Sequence, residues 1–387
     1  MPYAAVPPLP TPVREVGAPL AAIVGLGTLA GLILTLMTAV NPGGTVLGFA
    51  LATAAMAGVL LCYLWLDRWE PEPPRLLVMA FLWGASVAVL ASIVLEHLLE
   101  VSLSAGRDPL PSGEPSTSPV TMAIGAPLAE EAAKGLFLVL MMTGRRRNEL
   151  NTLTDCLVYA GFTAAGFAWL ENIFYIANGE TLTSSLVIAG MRLVLGPFAH
   201  PLFTTMTAIG VYFALQQRNT AAKVGCVLLG YAGAVVMHGL WNGSALLGAK
   251  AYLGVYVLWM MPMFALAIAL AVTSRRRERH VIAAKLPGMV ANGLVTPSEA
   301  GWLGTLRARK TAVTAAQRFG GRPAASSVKR FILQVVELAY VRDRIDRGFG
   351  DARVFALQNE EAHRVLVDRA AAAPALQQLQ FVRFPVQ

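Results

Sequence analysis

Charged side chains are scarce in this sequence: 14% of its 387 residues are Asp, Glu, Lys or Arg, against about 25% in soluble globular domains. With 56% hydrophobic residues and a mean hydropathy of +0.57, the composition argues strongly against a water-soluble protein. The scarcity is uneven, because residues 1–273 contain 12 Lys and Arg and 14 Asp and Glu, whereas residues 274–387 contain 19 and 9. The second part therefore has the composition of a soluble domain and supplies the whole net charge of +8.

Three further absences narrow the class of protein. Cys62, Cys156 and Cys226 have no CxxC or zinc-finger spacing, which argues against a disulfide framework or a zinc finger. Residues 1–16 are Pro-rich and lack a basic segment followed by a short apolar core, so we expect the first apolar run to be a retained membrane span. The motifs His-Glu-x-x-His, Gly-x-x-x-x-Gly-Lys-Ser/Thr and Gly-x-Gly-x-x-Gly of soluble enzymes are also missing.

Residues 1–273 contain several long apolar runs. A helix needs about 20 apolar residues to cross a bilayer core, and such runs recur. A turn signal, Asn-Pro-Gly-Gly-Thr at residues 41–45, separates the first two. The sequence predicts an all-α, polytopic helical membrane protein with about eight transmembrane helices, over Leu20–Val40, Val46–Leu66, Leu76–Leu99, Val120–Met142, Thr154–Ala177, Leu186–Ala214, Val224–Leu247 and Tyr252–Thr273.

Lys and Arg in the short loops predict the orientation, because positive residues stay on the cytoplasmic side. The loops after the second, fourth and sixth runs contain seven such residues, and the other loops contain two. Both termini are therefore predicted to be cytoplasmic. The largest external loop, residues 100–119, is rich in Pro, Ser and Gly and is predicted to be irregular.

The basic tail has helical patterns of its own. Thr296, Pro297 and Glu299 match an N-cap, a proline in the first turn and a capping box. Residues 327–347 alternate apolar and charged residues at helical spacing. A membrane-surface element that binds anionic lipid and a small cytosolic helical appendage both fit this pattern.

Ionisable and amide residues interrupt four consecutive apolar runs, the fourth to the seventh. A charge in the middle of a span costs at least about 2.5–3.5 kcal/mol on insertion scales, so such residues tend to face a polar interior and carry function. A single buried pair or histidine is often structural, but clustering in four adjacent runs favours a functional polar site. The set comprises Glu130, Glu131, Lys134, Glu171, Asn172, Arg192, His200, His238 and Asn242.

Spacing along the helices indicates which of these groups can meet. Glu130 and Lys134 share a helix face, so we expect Lys134 to neutralise one of the two adjacent carboxylates and leave the other to point elsewhere. Pro197 and Pro201 bracket His200. A membrane helix tolerates such a break only where it is buried in protein or lines a wet cavity, so we expect His200 at a water pocket.

Carboxylates, imidazoles and an amide inside a bilayer suit peptide hydrolysis, which needs an activated water, a proton-transfer group and oxyanion donors. His238 and Asn242, one turn apart, can supply such donors. Arg192 can contact a substrate carboxylate or extend to the lipid headgroups, and we favour the headgroups. Glu and His are equally good zinc ligands, so metal-bound and metal-free hydrolysis both stay open. A proton- or ion-coupled transporter and a non-enzymatic membrane scaffold are the alternatives, although the halves show no transporter-like repeat.

Five motifs, in order, resemble the PrsW family of membrane-embedded proteases. They extend over about 180 residues and leave the basic tail outside the match. In this sequence they read Asp-Arg-Trp-Glu-Pro-Glu-Pro from Asp67, Glu-Glu-Ala-Ala-Lys from Glu130, Phe-Ala-Trp-Leu-Glu-Asn from Phe167, Ala-His-Pro around His200, and His-Gly-Leu-Trp-Asn from His238.

This resemblance implies a polytopic intramembrane peptidase, usually classed as a metalloprotease, whose best-known member cleaves a membrane-spanning anti-sigma factor. The motif layout is also similar to the CAAX-processing and bacteriocin-immunity protease group, in which a glutamate activates water and a His/Asn pair stabilises the oxyanion. Glu171 departs from that wider group, which has His there. By this likeness the catalytic residues are Glu130, Glu131, Glu171, His200, His238 and Asn242, supported by Lys134 and Asn172, and a zinc ion, if bound, has Glu171, His200 and His238 as ligands.

The sequence thus predicts three segments: a cytosolic N-terminal segment at 1–19, an eight-span intramembrane protease domain at 20–273 and a basic cytosolic tail at 274–387. We expect a multi-pass protein of the cell membrane. Its expected partners are a membrane-protein substrate, such as a single-span anti-sigma factor, and the lipid bilayer, with anionic lipid at the basic tail. No nucleic-acid partner is expected.

Overall fold

The computed structural model describes residues 20–68, 70–104 and 118–384, which form helices and no strands. This confirms the all-α prediction, while the predicted N-terminal segment and most of the predicted external loop lie outside the described residues. The helices are α1 (Leu20–Val40), α2 (Pro42–Leu66), α3 (Pro74–Leu103), α4 (Ala126–Met141, after a π-helical turn at Thr121–Gly125), α5 (Leu153–Ala177), α6 (Leu182–Ala214), α7 (Thr220–Leu246), α8 (Ala249–Ala291), α9 (Pro297–Leu303), α10 (Leu306–Arg344) and α11 (Ala352–Leu379).

Seven of the described helices, α1 to α3 and α5 to α8, are long and apolar enough to cross a membrane. The sixteen residues of α4 include Glu130, Glu131 and Lys134, and α4 is not among the seven. It nevertheless forms a helix over the predicted fourth run, continuous with the preceding π-helical turn. A polytopic helical membrane protein is confirmed, and the count of eight spans stays a prediction.

The turn between α1 and α2 is shorter than the sequence predicts, because α2 begins at Pro42 rather than at Val46. Asn41 caps the helix: its side-chain oxygen accepts a hydrogen bond from the Gly44 amide at 2.9 Å. The Asn41 side-chain amide also donates to the carbonyl of Ala177, at the end of α5, at 2.6 Å. Asparagine at the N-cap and proline at the first helical position both favour the start of a helix. The predicted turn therefore consists of the single capping residue Asn41.

The chain divides into two compact units, with a boundary inside α8 between Ala271 and Val272. The unit that follows this boundary has its own core. Phe331, Val335 and Leu338 of α10 are fully buried in it, as their helical spacing predicts. The capping box at Thr296 is present at the start of α9, as its motif predicts.

In the other unit, two glycines allow α6 and α7 to cross with their backbones in contact. A Cβ added to Gly210 would lie 2.9 Å from the Cα of Gly230, and the reverse is equally close, so no larger residue fits at either position without a shift. Small residues are what such membrane-helix crossings require. His200 and His238 lie ten residues before and eight after this crossing, about 15 and 12 Å along antiparallel axes. The crossing therefore places both imidazoles at the same level.

A buried carboxyl group, Glu72, lies in the loop between α2 and α3. It is 4% exposed, its Oε2 accepts a hydrogen bond from the Tyr159 hydroxyl at 2.6 Å, and its backbone amide donates to Asp67 at 2.9 Å. Burial, together with the negative charges of Asp155, Glu149 and Asp67, raises the pKa of Glu72 well above its ordinary value of 4.5. Folding therefore favours the protonated form of this group.

The contribution of Glu72 to protein stability should consequently fall with rising pH. A carboxyl whose pKa is higher in the folded state stabilises the fold below its unfolded-state pKa, and this contribution is lost as the pH rises through the folded-state pKa. We expect the contribution of Glu72 to the free energy of unfolding in detergent to decrease as the pH rises above about 4.5. Glu72→Gln, which keeps an acceptor for Tyr159, should remove this decrease. Its size is about 1.4 kcal/mol of unfolding free energy for each unit by which folding raises the pKa of Glu72. Glu180→Gln, at an exposed site, is the control, and identical pH dependence in all three proteins would refute the assignment.

Candidate active site

Lys134 of α4 is a fully buried cation around which the polar side chains gather. Its Nζ lies 2.6 Å from Oε1 of Glu131 and 3.4 Å from Oε2 of Glu130. The expectation that Lys134 neutralises one carboxylate alone is therefore wrong. The two carboxylates diverge around the helix, but a long, flexible lysine side chain one turn further on reaches both.

Both carboxylate oxygens of Glu131 contact polar groups of the protein. In addition to Lys134, it accepts a hydrogen bond from the Thr204 hydroxyl of α6 at 2.9 Å. Its Oε1 lies 3.1 Å from Nδ1 of His238 in α7. Glu131 thus joins three helices, and with the Nδ1 proton of His238 donated to it, the Nε2 of that ring is left as an acceptor.

Glu130 faces both imidazoles. Its Oε2 lies 3.8 Å from Nδ1 of His200 and 3.8 Å from Nε2 of His238. The two rings are 5.2 Å apart between centroids and nearly perpendicular, at 87°. The distances from Glu130 to the rings exceed those of hydrogen bonds, and Nδ1 of His200 lies closer to Nζ of Lys134, at 3.1 Å.

Glu171 of α5 contacts the opposite nitrogen of the His200 ring. Its Oε2 lies 2.7 Å from Nε2 of His200 and 2.5 Å from a terminal nitrogen of Arg192. Arg192 also donates to the side-chain oxygen of Asn172 at 2.6 Å and lies over the Tyr175 ring at 4.0 Å. The expectation that Arg192 extends to the headgroups is wrong, because the adjacent carboxylate and amide acceptors match a planar guanidinium.

The proline-bracketed break in α6 leads into His200. The helix is π-helical over Gly190–Leu195, is interrupted at residues 196–198 and restarts at Ala199. The break is confirmed. Pro201 lies in the first turn of the restarted helix, where a missing N–H removes no helical bond. The expected water pocket differs from the cavity that the described residues form at the break, whose walls are apolar.

Asn242, one turn after His238, contacts the backbone of the segment before α4. Its side-chain amide donates to the carbonyl of Met122 at 3.1 Å. Gly239 lets α7 approach the same segment, since a Cβ there would lie 2.8 Å from the carbonyl oxygen of Ala123. This contact ties α7 to the π-helical turn, and the role of Asn242 as an oxyanion donor stays a prediction.

Glu130, His200 and His238 fit a metal ion by position and chemistry. All three are buried, and one ligand atom from each lies within 4.8 Å of the others. Two imidazoles and a carboxylate are common zinc ligands. Glu131, hydrogen-bonded to the far nitrogen of His238, is the kind of partner that orients a ligating imidazole. The sequence predicts Glu171 as the carboxylate ligand, whereas this group contains Glu130.

Two contacts of the cluster escaped the sequence analysis, those of Thr204 and Arg192. Thr204 lies four residues after His200, on the same helix face. This spacing is the feature of the sequence that indicates a place for Thr204 in the cluster. Arg192 carried a clearer signal, since an arginine inside an apolar run usually has a partner within the protein.

Comparison with known proteins yields one family. The sequence model of the PrsW family intramembrane metalloprotease matches residues 72–267. Protease PrsW of Oceanobacillus iheyensis is 25% identical over 191 residues, covering 49% of this chain and 80% of that protein. Protease PrsW of Clostridioides difficile is 27% identical over 152 residues, covering 38% of this chain and 59% of that protein. No solved structure matches.

The pairing of Arg192 with Glu171 can be measured by a double-mutant cycle. Arg192→Leu and Glu171→Gln should each destabilise the protein in detergent, and because both remove one interaction, their coupling energy should be about 0.5–3 kcal/mol. The control cycle combines Arg192→Leu with Glu180→Gln at the exposed site and should give no coupling. Strictly additive effects of Arg192→Leu and Glu171→Gln would show that the pair contributes nothing.

Proposed function

This chain belongs to the PrsW family of intramembrane metalloproteases, and from that premise we propose that its cluster of buried carboxylates and imidazoles hydrolyses a peptide bond of a membrane protein. Membership makes the chain a peptidase of the membrane. The observation that carries the assignment of the site is the position of Glu130, whose Oε2 faces both His200 and His238 at 3.8 Å.

In the proposed mechanism, Glu130 accepts a proton from the attacking water. It is the carboxylate directed at both imidazoles, and a carboxylate has two oxygens, so one can bind a cation while the other accepts a proton. The proton then has to reach the leaving amine, a transfer for which carboxylate and imidazole groups are suited. Lys134, 3.4 Å from Glu130, offsets the negative charge of this carboxylate before it takes up the proton.

The other members position the imidazoles. Glu131 accepts a hydrogen bond from Nδ1–H of His238, and Nε2 of that ring then faces Glu130. Glu171, held by Arg192, contacts Nε2 of His200 at 2.7 Å and fixes the plane of the second ring. Asn242 remains the proposed donor to the developing oxyanion, where preorganised hydrogen bonds stabilise the transition state. We assign no such role to His238, because its one N–H is directed at Glu131.

Zinc is the cofactor that the site fits. Glu130, His200 and His238 would hold it, and a bound zinc ion lowers the pKa of water and polarises a carbonyl group. The three carboxylates of the cluster also outnumber its two cations, and this excess of negative charge in a buried site favours binding of a cation.

The proposed substrate is a protein that spans the same membrane, and a single-span anti-sigma factor is the specific candidate. We propose the cell membrane as the location, with both termini on the cytoplasmic side because seven Lys and Arg lie in the loops assigned to that side. The basic tail would then lie beside anionic lipid headgroups, which attract such segments.

Glu130→Gln tests the proposed proton acceptor. The amide keeps the shape of the side chain but cannot take the proton, so cleavage of a membrane-spanning substrate in proteoliposomes should fall by about 10²–10⁴-fold. Glu180→Gln, at an exposed site, should cleave like the unmodified protein, and unfolding temperatures should verify that both variants fold. Full activity of folded Glu130→Gln would rule out the proposed role.

Metal content tests the ligand assignment independently of activity. Elemental analysis of the purified protein should find about one zinc per chain, and Glu130→Ala and His238→Ala should lose most of it. A chelator should remove the metal and stop cleavage. Undiminished metal in both variants, or full cleavage by metal-free protein, would contradict the assignment.

A further inference from the structure

An apolar cavity of about 410 Å³ opens at the break in α6. Its walls come from residues 194–199 and Leu202 of α6, from Trp241 of α7 and from α8 between Tyr256 and Ile268. None of the described residues that line it is charged. Its volume lies in the range of about 300–1,000 Å³ that is usual for ligand pockets. Its chemistry therefore suits an apolar group.

The cavity shares a wall with the cluster of carboxylates and imidazoles. Leu202 and Met260, which line the cavity, pack with Phe203 in one apolar cluster. Phe203 in turn stacks on the ring of His238, with 4.6 Å between centroids. A single layer of side chains thus connects the cavity to an imidazole of the site.

The break in the helix brings the cavity still closer to the second imidazole. Ala199 lines the cavity and is the residue directly before His200. A side chain next to the reacting bond of a peptide at the imidazoles is therefore within a short distance of the cavity.

The rim of the cavity carries large apolar side chains that are exposed. Val194, Met261 and Ile268 are 75%, 52% and 51% exposed, and they belong to two helices that are long and apolar enough to cross a membrane. Apolar surface of this kind on such helices is suited to contact with lipid chains. The cavity is therefore accessible to a molecule that arrives from within the bilayer.

We propose that this cavity is the specificity subsite of the peptidase and receives a large apolar side chain of the substrate, adjacent to the bond that is cleaved. The proposal rests on the proposed function, because the substrate backbone must lie at Glu130 for the side chain to enter. A membrane-spanning substrate is rich in Leu, Phe and Ile, which a cavity lined by Trp, Met and Phe accommodates by burial of apolar surface. Substrates with a small residue at that position leave the cavity unfilled and should be cleaved more slowly.

The test first maps the cleavage site in a membrane-spanning substrate by mass spectrometry, and then places Ala, Leu or Phe on each side of the bond. At one of the two positions, the unmodified protein should cleave the Leu and Phe substrates at least about tenfold faster than the Ala substrate, as expected for a hydrophobic pocket. Ala265→Trp, which fills the cavity from α8, should abolish this preference, so that the ratio of Leu or Phe cleavage to Ala cleavage falls to about one. Ala265→Leu should fill it partly and reject Phe more than Leu.

Ala269→Trp is the matched control, because Ala269 is exposed on the same helix one turn further on and does not line the cavity. It should keep the full preference. Equal loss of cleavage for all three substrates in Ala265→Trp, or no change at all, would overturn the subsite and indicate that lipid or nothing occupies the cavity. Failure of the unmodified protein to cleave any substrate would instead refute the proposed function.

Discussion

A lysine ammonium buried without exposure to solvent is the constraint on which this site depends. Transfer of a charge out of water is so costly that it persists only with several partners at close range. Lys134 obtains them from its own helix at Glu130 and Glu131, from Nδ1 of His200 at 3.1 Å and from the face of the Phe167 ring at 4.2 Å. Removing either carboxylate would leave the buried ammonium with too little compensating charge.

The same constraint explains why four helices must pack closely. The partners of Lys134 and Glu131 lie on α4, α5, α6 and α7. These four helices must pack closely for the side chains to come within about 3 Å of one another. Glycines at the crossing of α6 and α7 permit this approach, and the capped start of α2 ties it to the end of α5. The polar cluster therefore depends on the small residues at the helix crossings, which let the helices approach closely enough for its contacts to form.

Charge and apolar surface are separated within the site. Two cations and three carboxylates gather around the imidazoles, whereas the apolar cavity is lined by Leu202 and Met260, which belong to one apolar cluster with Phe203 beside His238. Hydrolysis of a peptide bond inside a bilayer needs both, since the reaction consumes water while the substrate is apolar. The broken helix α6 supplies residues to each side, with His200 in the cluster and Ala199 in the cavity wall.

Much of the fold and the membership of the site could be predicted from the sequence. The apolar runs predicted the helices, although α2 starts at Pro42 because a capping asparagine is a local effect that hydropathy does not register. The clustering of Glu130, Glu171, His200 and His238 was predictable, because charges in apolar runs need internal partners. The partners of Lys134 and Arg192 could not be predicted. Residue spacing does not show how far a long side chain extends or how neighbouring helices are rotated relative to one another.

By itself, the sequence determined that the protein is a helical membrane protein, that its tail differs in composition, and which residues of four helices carry polar groups. These properties follow from local composition, periodicity and motif order. Only the tertiary structure decided that Glu130 rather than Glu171 groups with both imidazoles, that Arg192 pairs with Glu171 rather than with lipid, and that an apolar cavity adjoins the site. Those outcomes depend on distances of a few ångströms between helices, which are determined by packing at the helix crossings and not by any one segment of the chain.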